Sequence, residues 1–486
     1  MLKFGTSGLR GLVTELNDRE CYLYTAAFLK YLLDLKLINK NISVAIAGDF
    51  RPSTERIIKA VATAIKDFNF KVDYCGIIPT QTVSLYGFKR NIPSIMVTGS
   101  HIPYDRNGIK FNLPAGEILK KDEQAITEYQ AKILASSEFD FLFNKDGSFK
   151  KAPVKLPKVN LKAEREYAKR YVDFFGKNLL RGKTIVVYEQ SSVIRDIMVE
   201  ILKKLGAKVI AVGRSQKFIP IDTEAIQEVD LKKARTWVKK YKADAVVSAD
   251  GDGDRPVLFD ETGQFIRGDF LAVICSTYLK ADSVSATASC NTSLEKSGKF
   301  KNINRTKIGS PYVVTAMQND KKNGYQRIVS YEANGGFLTG SDLLIGNKKI
   351  KSLPTRDSML PILSALALSV NKKVSLSKLI KIFPQRFVYS HSIKGFLTET
   401  SQKIIKKILK RGTAEKKLAQ KLFNLPAEVK KFDFTDGARM FLANGEIVHV
   451  RPSGNAPEIR VYSEADCLDR ARKLTEQTLE KISQLA

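Results

Sequence analysis

The sequence predicts an α/β protein built of consecutive domains of one kind, followed by a smaller α+β domain at the C-terminal end. Three observations lead to this fold class. The chain has 486 residues, which is enough for roughly three or four domains of ordinary size. Two separate stretches repeat one alternation of β-branched runs with an amphipathic helix pattern. The C-terminal part follows a different plan.

Both repeated stretches have the sequence pattern of a βαβ unit. The first is SVAIAGDFRPSTERIIKAVATAIKDFNFKVDYCG, at residues 43–76, and the second is TIVVYEQSSVIRDIMVEILKKLGAKVIAVG, at residues 184–213. In each, a β-branched run, a polar loop, a helix pattern and a second β-rich run follow in order. This order implies a parallel sheet covered by helices. A third unit is predicted at residues 268–288, where an apolar helix pattern precedes the strand DSVSATA.

Basic or turn-rich segments indicate where the domains meet. They lie at residues 144–160, 260–264 and 382–387. We therefore predict α/β domains at residues 1–155, 156–262 and 263–385, and a C-terminal α+β domain at residues 386–486. In the last domain a helix-rich stretch precedes GEIVHVRPSGNAPEIRVYSEA and a final helix that starts at about Cys467.

The composition is that of a soluble globular protein, with 43% hydrophobic and 27% charged residues. No stretch approaches the roughly 18 apolar residues of a membrane helix. The first residues, MLKFGTSGLRG, lack the apolar centre of a signal peptide. Five scattered cysteines without a CxxC pair are typical of reduced thiols and argue against a structural zinc site. We expect a cytoplasmic protein with no membrane partner.

The formal net charge is +29, from 80 Lys and Arg residues against 51 Asp and Glu residues. Binding to nucleic acid is one interpretation of this charge. However, the lysines are dispersed along the chain, and no nucleic-acid motif such as RGFGF is present. The prediction is therefore a lysine-rich solvated surface that attracts anionic substrates, with no nucleic-acid partner.

The stretch ADAVVSADGDGDRPVLF, at residues 243–259, carries the strongest chemical signal. Asp250, Asp252 and Asp254, which we call the acidic triplet, alternate with glycines directly after a buried strand pattern. Three convergent carboxylates repel one another unless a cation compensates them, and an all-oxygen set suits Mg²⁺. An EF-hand loop is excluded, because Arg255 occupies the position where that loop needs glycine.

A second polar segment, TGSHIPYDRNG at residues 98–108, follows another strand pattern, and we call it the serine loop. Ser100 does not resemble a hydrolase nucleophile, because His101 is its direct neighbour and the G-x-S-x-G elbow is absent. Alone, Ser100 would be a turn-capping serine. The acidic triplet favours a different role, in which Ser100 carries a phosphoryl group beside Mg²⁺. Lys110, beyond the turn, would be an acid/base or a charge partner.

Two further segments and one arginine suit a sugar phosphate. VRPSGNAPEIR at residues 450–460, the phosphate loop, has the composition of a phosphate clamp. Its candidate ligands are Arg451, Ser453, Gly454, Asn455 and Arg460. Arg10, in the Gly-rich stretch GTSGLRG, can also reach a phosphate. In YEANGGFLTGS at residues 331–341, the sugar loop, Glu332 and Asn334 are predicted to bind sugar hydroxyls.

Taken in chain order, these segments resemble the α-D-phosphohexomutase superfamily over essentially the whole chain, and most closely its bacterial phosphomannomutase members. TGSHIPYDRNGIK resembles the phosphoserine loop of that family, which usually reads T-A-S-H-N-P. DGDGDR matches its metal loop outright, and RPSGNAPE resembles its phosphate loop. YEANGG stands where the family usually has G-E-M-S-G-H.

The resemblance implies three related mixed α/β domains and a C-terminal domain similar to the TATA-binding protein, all around one central cleft. Ser100 would be the phosphoserine, with its phosphoryl oxygen completing the Mg²⁺ shell. Arg10 and Arg255 would act near the transferring phosphate, and His101 would orient the loop. Thr306 and Gly309, in RTKIGS, would lie near the sugar.

The sequence departs from the family in two of these loops. Gly99 and Ile102 alter the serine loop. Asn334 and Gly336 replace the usual Ser and His of the sugar loop, and this bears on specificity.

The implied activity is phosphomannomutase, which interconverts mannose 1-phosphate and mannose 6-phosphate through a hexose 1,6-bisphosphate. Mg²⁺ would be the cofactor, and glucose or mannose 1,6-bisphosphate the activator. Phosphoglucomutase or a dual activity is the first alternative, and phosphoglucosamine mutase the second. The rivals from other classes are a binder of anionic polymers and a Mg²⁺-dependent phosphatase. The expected partners are hexose phosphates, and the expected state is a monomer or weak homodimer.

Overall fold

The computed structural model describes residues 2–5, 8–39, 42–409, 413–452 and 458–485. In this part of the chain, three sheets covered by helices follow one another, and a fourth, antiparallel sheet completes the C-terminal end. The predicted fold class, mixed α/β domains with a C-terminal α+β domain, is confirmed. None of the helices in the described part has the length and apolar content that a membrane span needs.

The first unit is a sheet with the order β1-β2-β6-β5-β3-β4, and β7 pairs with β6. Its strands are β1 (Lys3–Phe4), β2 (Leu9–Leu12), β3 (Ser43–Gly48), β4 (Lys71–Ile77), β5 (Ser94–Val97), β6 (Arg106–Leu113) and β7 (Gly116–Glu117). Its helices are α1 (Asp18–Asp34), α2 (Thr54–Asp67), α3 (Thr80–Arg90) and α4 (Lys120–Ser136), followed by a 3-10 turn at Asp140–Leu142. Strand β3 runs parallel to β4 and β5, which confirms the first predicted βαβ unit.

The second unit repeats this plan in the order β12-β11-β10-β8-β9. It comprises α5 (Lys162–Phe175), β8 (Thr184–Gln190), α6 (Arg195–Lys204), β9 (Lys208–Arg214), α7 (Glu228–Tyr241), β10 (Ala245–Ala249), β11 (Pro256–Phe259) and β12 (Phe265–Ile266). Strand β8 is parallel to β9 and β10, as the sequence pattern predicts. The sheet extends to Ile266, beyond the predicted end of the second domain at residue 262. The predicted domain boundaries stay predictions.

The third unit has the order β14-β13-β15-β16-β19, with a separate hairpin of β17 and β18. Its strands are β13 (Ser283–Thr287), β14 (Asn302–Thr306), β15 (Ile328–Tyr331), β16 (Phe337–Thr339), β17 (Leu343–Ile345), β18 (Lys348–Ile350) and β19 (Leu353–Asp357). Its helices are α8 (Gly268–Tyr278), α9 (Ser293–Lys296), α10 (Ser310–Lys322), α11 (Met359–Lys372) and α12 (Leu376–Ile380). The helix and strand predicted at residues 268–288 are α8 and β13.

The C-terminal unit is an antiparallel sheet in the order β20-β24-β23-β22-β21. It comprises β20 (Phe387–Lys394), α13 (Thr398–Lys407), α14 (Thr413–Leu422), β21 (Val429–Asp433), β22 (Ala438–Leu442), β23 (Ile447–Pro452), β24 (Glu458–Ala465) and α15 (Leu468–Ser483). The final helix begins one residue after the predicted start at Cys467.

The three α/β units place their functional loops at one equivalent position. The serine loop follows β5, the acidic triplet follows β10, and the sugar loop follows β15. Each of these strands is parallel to one neighbour and leads into an antiparallel partner, β6, β11 and β16 respectively. Because β5, β10 and β15 are buried along their whole length, their ends are fixed and the loops are held by the core.

Candidate active site

The serine loop turns sharply at Ser100. This residue has a φ of +55°, the left-handed region that a non-glycine residue adopts only at a cost of about 1–3 kcal/mol. Local hydrogen bonds hold it there, since the Ser100 amide donates to Thr98 Oγ1 at 2.7 Å. The hydroxyl of Ser100 donates to Asp250 Oδ2 at 2.8 Å. The structure thus brings Ser100 directly against the acidic triplet.

Arg51 holds the serine loop in place, and the sequence did not predict this role. Its side chain is fully buried, pairs with Asp49 at 3.1 Å and stacks on the Phe218 ring at 4.1 Å. The guanidinium donates to four backbone carbonyl oxygens of the serine loop at 2.5 to 2.9 Å, those of Ser100, Ile102, Pro103 and Arg106. A buried cation paired in this way fixes the strained loop in one conformation.

The acidic triplet forms a tight buried turn between β10 and β11. Its three side chains are fully buried, and one oxygen from each lies within 4.8 Å of the others. Gly253 makes the turn possible with a φ of +75°, and its amide donates to the Asp250 carbonyl at 3.0 Å. The convergence of carboxylates that the sequence predicts is therefore present.

Cations from other parts of the chain surround the triplet. Lys110 Nζ lies 2.6 Å from Asp252 Oδ2 and 2.9 Å from Asp254 Oδ2. Arg356 Nε lies 3.1 Å from Asp254 Oδ2, and Thr80 donates to Asp252 at 2.6 Å. The position of Lys110 makes it a charge partner of the triplet, because its ammonium already donates to two carboxylates.

The pKa values of the three aspartates diverge for physical reasons. Burial, and then the charges of Asp252 and Asp254, raise the pKa of Asp250 well above its usual value. Burial also acts to raise the pKa of Asp252, but the Lys110 ammonium outweighs it and holds that pKa below the usual range. Burial also acts to raise the pKa of Asp254, but the positive charge of Arg356 is the main cause that holds that pKa below its usual value. Without a further cation, one carboxylate of the triplet therefore resists ionisation.

The triplet fits a divalent cation. Asp252 Oδ1 and Asp254 Oδ1 are buried, and neither has a hydrogen-bond partner among the described residues. Buried carboxylate oxygens without a donor are costly and call for an explanation such as a missing ion. Hard oxygen ligands that converge in this way are those that Mg²⁺ prefers.

His101 is held as a neutral side chain beside Ser100. Arg255 Nη1 lies 2.5 Å from His101 Nδ1, and because a guanidinium can only donate, the imidazole nitrogen accepts. Burial, and next the positive charge of Arg255, keeps the pKa of His101 well below its usual value. The Ser100 hydroxyl bonds to Asp250 instead, and this arrangement agrees with a loop-orienting role for His101.

A cavity of about 1150 Å³ lies against the serine loop, where His101 and Ile102 line it, and receives residues from all four units. Six arginines are among its described lining residues: Arg10, Arg106, Arg255, Arg356, Arg451 and Arg460. Burial, and then the charges of Arg255 and Arg356, lower the pKa of Arg10 to about 10. Cations crowded in this way indicate a site for anions.

The sugar loop lies on one wall of the cavity, with Glu332 and Asn334 both exposed to it. Glu332 pairs with Arg356 at 2.9 Å. The Asn334 side chain accepts from the Gly336 amide at 2.9 Å, which shapes the loop and leaves the Asn334 amide nitrogen available to a ligand. Sequence reasoning missed Arg356, which joins this loop to the acidic triplet.

Thr306 and Gly309 are not among the described residues that line the cavity. Ile308, between them, lines it instead, and its amide donates to Asp436 Oδ2 at 2.9 Å. The Thr306 hydroxyl donates to the neighbouring Lys307 carbonyl at 2.9 Å, and Gly309 precedes α10. The segment therefore reaches the cavity, although at a different residue from those predicted.

The described ends of the phosphate loop lie on β23 and β24. Arg451 and Arg460 are direct cross-strand partners, and both line the cavity. Arg451 pairs with Asp436 at 2.9 Å, and Arg460 pairs with Glu458 at 3.1 Å. The other predicted ligands, Ser453, Gly454 and Asn455, lie outside the described residues.

Comparison with known families gives a match in each unit. Domains I, II and III of the phosphoglucomutase/phosphomannomutase family, all described as alpha/beta/alpha, match residues 1–136, 165–263 and 267–387. The C-terminal domain of the same family matches residues 399–481. Together these matches cover most of the chain and follow the order of its four sheets.

Curated relatives extend over nearly the whole chain. A phosphomannomutase of Salmonella muenchen is 41% identical over 481 residues, covering 99% of this chain and 95% of the relative. A phosphomannomutase of Sinorhizobium fredii is 40% identical, covering 98% of each chain. These two relatives confirm the predicted similarity of the chain to phosphomannomutases.

Solved structures show the same fold at low sequence identity. The phosphoglucomutase parafusin from Paramecium superposes with a TM-score of 0.74 at 18% identity, covering 100% of this chain and 95% of that one. An N-acetylphosphoglucosamine mutase from Aspergillus fumigatus, solved with glucose 1,6-bisphosphate, has a TM-score of 0.57 at 14% identity, with 99% and 95% covered. The predicted superfamily and enzyme class, intramolecular phosphotransferase, are thus confirmed. This chain belongs to the phosphoglucomutase/phosphomannomutase family of the α-D-phosphohexomutases.

Proposed function

We propose that the protein interconverts mannose 1-phosphate and mannose 6-phosphate by way of a phosphorylated Ser100 and a hexose 1,6-bisphosphate. The observation that carries this proposal is the hydrogen bond from Ser100 Oγ to Asp250, directly next to His101, which lines the arginine-rich cavity. A serine in that position can hold a phosphoryl group next to a metal site. The names of the relatives with about 40% identity support mannose phosphates as substrates.

In the first half-reaction, the free hydroxyl oxygen of a hexose monophosphate attacks the phosphorus on Ser100. The new O–P bond to the sugar forms while the Ser100 Oγ–P bond breaks, and the proton lost by the sugar hydroxyl ends on Ser100 Oγ. The products are a hexose 1,6-bisphosphate and the free Ser100 hydroxyl. Arg10 and Arg255, both at the cavity wall beside the serine loop, stabilise the charge on the transferring phosphoryl oxygens. Positioning and electrostatic stabilisation account for most of the catalysis of phosphoryl transfer.

The acidic triplet and the phosphoryl group on Ser100 would hold Mg²⁺. When bound, Mg²⁺ supplies positive charge beside the transferring phosphoryl group. Lys110 contributes a fixed charge to the same site through Asp252 and Asp254. The two buried oxygens without hydrogen-bond donors, on Asp252 and Asp254, support this assignment.

In the second half-reaction the bisphosphate turns around inside the cavity, and Ser100 Oγ attacks its other phosphorus. The Oγ–P bond forms while the sugar O–P bond breaks, and the proton of the Ser100 hydroxyl ends on the sugar oxygen. The phosphate that is not being transferred is held by Arg451 and Arg460, assisted by Ser453, Gly454 and Asn455 of the same loop. Glu332 and Asn334 hold hydroxyls at C3 and C4, as the family resemblance implies, while Thr306 and Gly309 support the neighbouring segment. A cavity of about 1150 Å³ has room for a hexose bisphosphate.

The assay that tests the proposal compares kcat/KM for mannose 1-phosphate, glucose 1-phosphate and glucosamine phosphate, with glucose 1,6-bisphosphate as activator. We expect mannose 1-phosphate to be converted best and glucose 1-phosphate measurably. A preference of more than roughly tenfold for glucose or glucosamine would contradict the proposal, because a difference of about 1.4 kcal/mol would then favour a sugar other than mannose. Release of inorganic phosphate without isomerisation would indicate a phosphatase.

The enzyme is also proposed to have a particular activator, set of partners, oligomeric state and location. Its activator is glucose or mannose 1,6-bisphosphate, and its partners are hexose phosphates. We further propose a cytoplasmic monomer or weak homodimer that binds neither nucleic acid nor membranes. The dispersed lysines behind the net charge of +29 support a solvated surface.

A further inference from the structure

Among the described residues that line the cavity, Glu224 has a carboxylate without a hydrogen bond or an ion pair. The described lining residues include four acidic side chains, Glu15, Glu224, Glu332 and Asp436. Glu332 pairs with Arg356, Asp436 pairs with Arg451, and Glu15 accepts from the Leu12 amide at 3.3 Å. The described part of the chain gives the Glu224 carboxylate neither a hydrogen bond nor an ion pair. Burial, and next the charge of Asp222, raise the pKa of Glu224, while the charges of Arg267 and Arg255 act to lower it.

The segment that carries Glu224 is anchored to the first unit near its start and to the sugar loop near its end. It joins β9 to α7 in the second unit and comprises residues 215–227. Near its start, Phe218 stacks on Arg51, which holds the serine loop. Near its end, Thr223 donates to the Asn334 carbonyl of the sugar loop at 3.1 Å. Glu224 is the next residue, so its backbone position is fixed beside the sugar loop.

The chemistry of the cavity limits what Glu224 can bind. A carboxylate repels a phosphate dianion, whereas the six arginines that line the cavity are suited to attract one. The groups of a hexose phosphate that donate to a carboxylate are its hydroxyls. In the proposed function, Glu332 and Asn334 hold the hydroxyls at C3 and C4, and the phosphates occupy C1 and C6. The ring hydroxyl that remains is the one at C2.

We propose that Glu224 accepts a hydrogen bond from the C2 hydroxyl of the hexose phosphate in one of its two orientations and thereby contributes to the choice between sugars that differ at C2. This inference rests on the proposed function. It assigns a sugar contact to the second unit, in addition to the sugar loop of the third. The residue does not take part in phosphoryl transfer and determines specificity only.

Two variants and two sugars test the inference. Glu224→Ala removes the acceptor, and Glu224→Gln keeps the shape while removing the charge. Glu228→Ala is the matched control, because Glu228 is exposed at the start of α7 and is outside the cavity lining. The substrates are mannose 1-phosphate and 2-deoxyglucose 1-phosphate, which lacks the C2 hydroxyl. Circular dichroism and thermal unfolding check that each variant is folded.

We expect Glu224→Ala to lower kcat/KM for mannose 1-phosphate by about ten- to a hundredfold, with a smaller loss for Glu224→Gln. With 2-deoxyglucose 1-phosphate, the wild type and both variants should agree within about twofold, since the contact is absent in every case. An equal loss on both sugars, or no loss on either from a folded Ala or Gln variant, would overturn the inference. A wild type that converts no hexose phosphate would overturn the proposed function, and this inference with it.

Discussion

Ser100 Oγ donates a 2.8 Å hydrogen bond to Asp250 Oδ2, although 150 positions separate the two residues along the chain. Lys110 of the first unit also contacts the second unit, because its Nζ lies 2.6 Å from Asp252 Oδ2. Both contacts join the first α/β unit to the second. The candidate site therefore exists only when these two units are docked, and neither unit alone contains a complete metal and phosphoryl site.

The first prediction is that Ser100 carries the phosphoryl group. Ser100→Ala should abolish mutase activity, because the variant has no oxygen from which the phosphoryl group can transfer. Peptide mapping by mass spectrometry should find phosphate on Ser100 of the purified wild type after incubation with a hexose 1,6-bisphosphate. Ser483→Ala, at an exposed residue of α15, is the control and should keep full activity. Phosphate found only at other residues would contradict the assignment.

The second prediction is that activity depends on Mg²⁺ bound at the acidic triplet. Asp252→Asn removes one charged ligand, so Mg²⁺ affinity measured by calorimetry should fall together with kcat. EDTA should abolish activity of the wild type, and added Mg²⁺ should restore it. Asp173→Asn, at an exposed residue of α5, should change neither quantity. Normal turnover in EDTA would remove the metal from the mechanism.

The acidic triplet could be predicted from sequence because its members are neighbours in one turn. Asp250 and Asp254 are four residues apart, and the glycines between them indicate that the backbone can curl. The βαβ units were predictable for a similar reason, since strand and helix periodicities are local. The parts of the site that depend on short-range patterns are therefore the parts that the sequence indicates.

Arg51 and Arg356 could not be predicted in this way, because their partners lie elsewhere in the chain. Arg356 reaches Asp254 across 102 positions, and Arg51 reaches the Ser100 carbonyl across 49. A local signal for Arg51 does exist: GDFRPST places an aspartate and an arginine directly after a buried strand. Glu224 gave no such signal, since only tertiary packing leaves its carboxylate without a partner in the described part of the chain.

A third prediction concerns Arg51. Arg51→Ala would leave Asp49 buried without its cation and four loop carbonyls without donors, so the free energy of unfolding should fall by about 3–5 kcal/mol. Arg51→Lys keeps the charge but loses the planar fork, and kcat should fall because the serine loop is no longer held. Arg235→Ala, in an exposed ion pair with Glu228, should cost less than about 1 kcal/mol. An Arg51→Ala variant as stable as this control would contradict the role of Arg51 in holding the serine loop.

Fourth, Arg451 should hold the phosphate that is not being transferred. Loss of a charged hydrogen bond to a ligand costs about 1.5–3 kcal/mol, so Arg451→Ala should raise KM for hexose monophosphates roughly ten- to a hundredfold. Mg²⁺ affinity should be unchanged, because the acidic triplet is on a different unit. Arg472→Ala, at an exposed residue of α15, serves as control. Unchanged kinetics in Arg451→Ala would exclude this arginine from the clamp.

The last prediction is a pH dependence of stability that originates at His449, on β23. Its Nε2 lies 2.5 Å from the Asp436 carbonyl and donates to it, while its Nδ1 is buried without a partner among the described residues. Burial, outweighing the hydrogen bond to Asp436, lowers the pKa of His449 to about 4. A proton on Nδ1 would place an unpaired charge in the core, so the folded protein keeps the ring neutral.

The sign follows from the usual histidine pKa of about 6.5 in the unfolded chain. Between pH 6.5 and 4 the unfolded state binds the proton and the folded state does not, so stability falls as the pH is lowered. The difference corresponds to roughly 3 kcal/mol over this window. His449→Gln cannot titrate, so its free energy of unfolding in urea should depend less on pH than that of the wild type. His391→Gln, at an exposed position of β20, should show the same pH dependence of stability as the wild type. If the free energy of unfolding of His449→Gln fell with decreasing pH as steeply as that of the wild type, His449 would be excluded as the source.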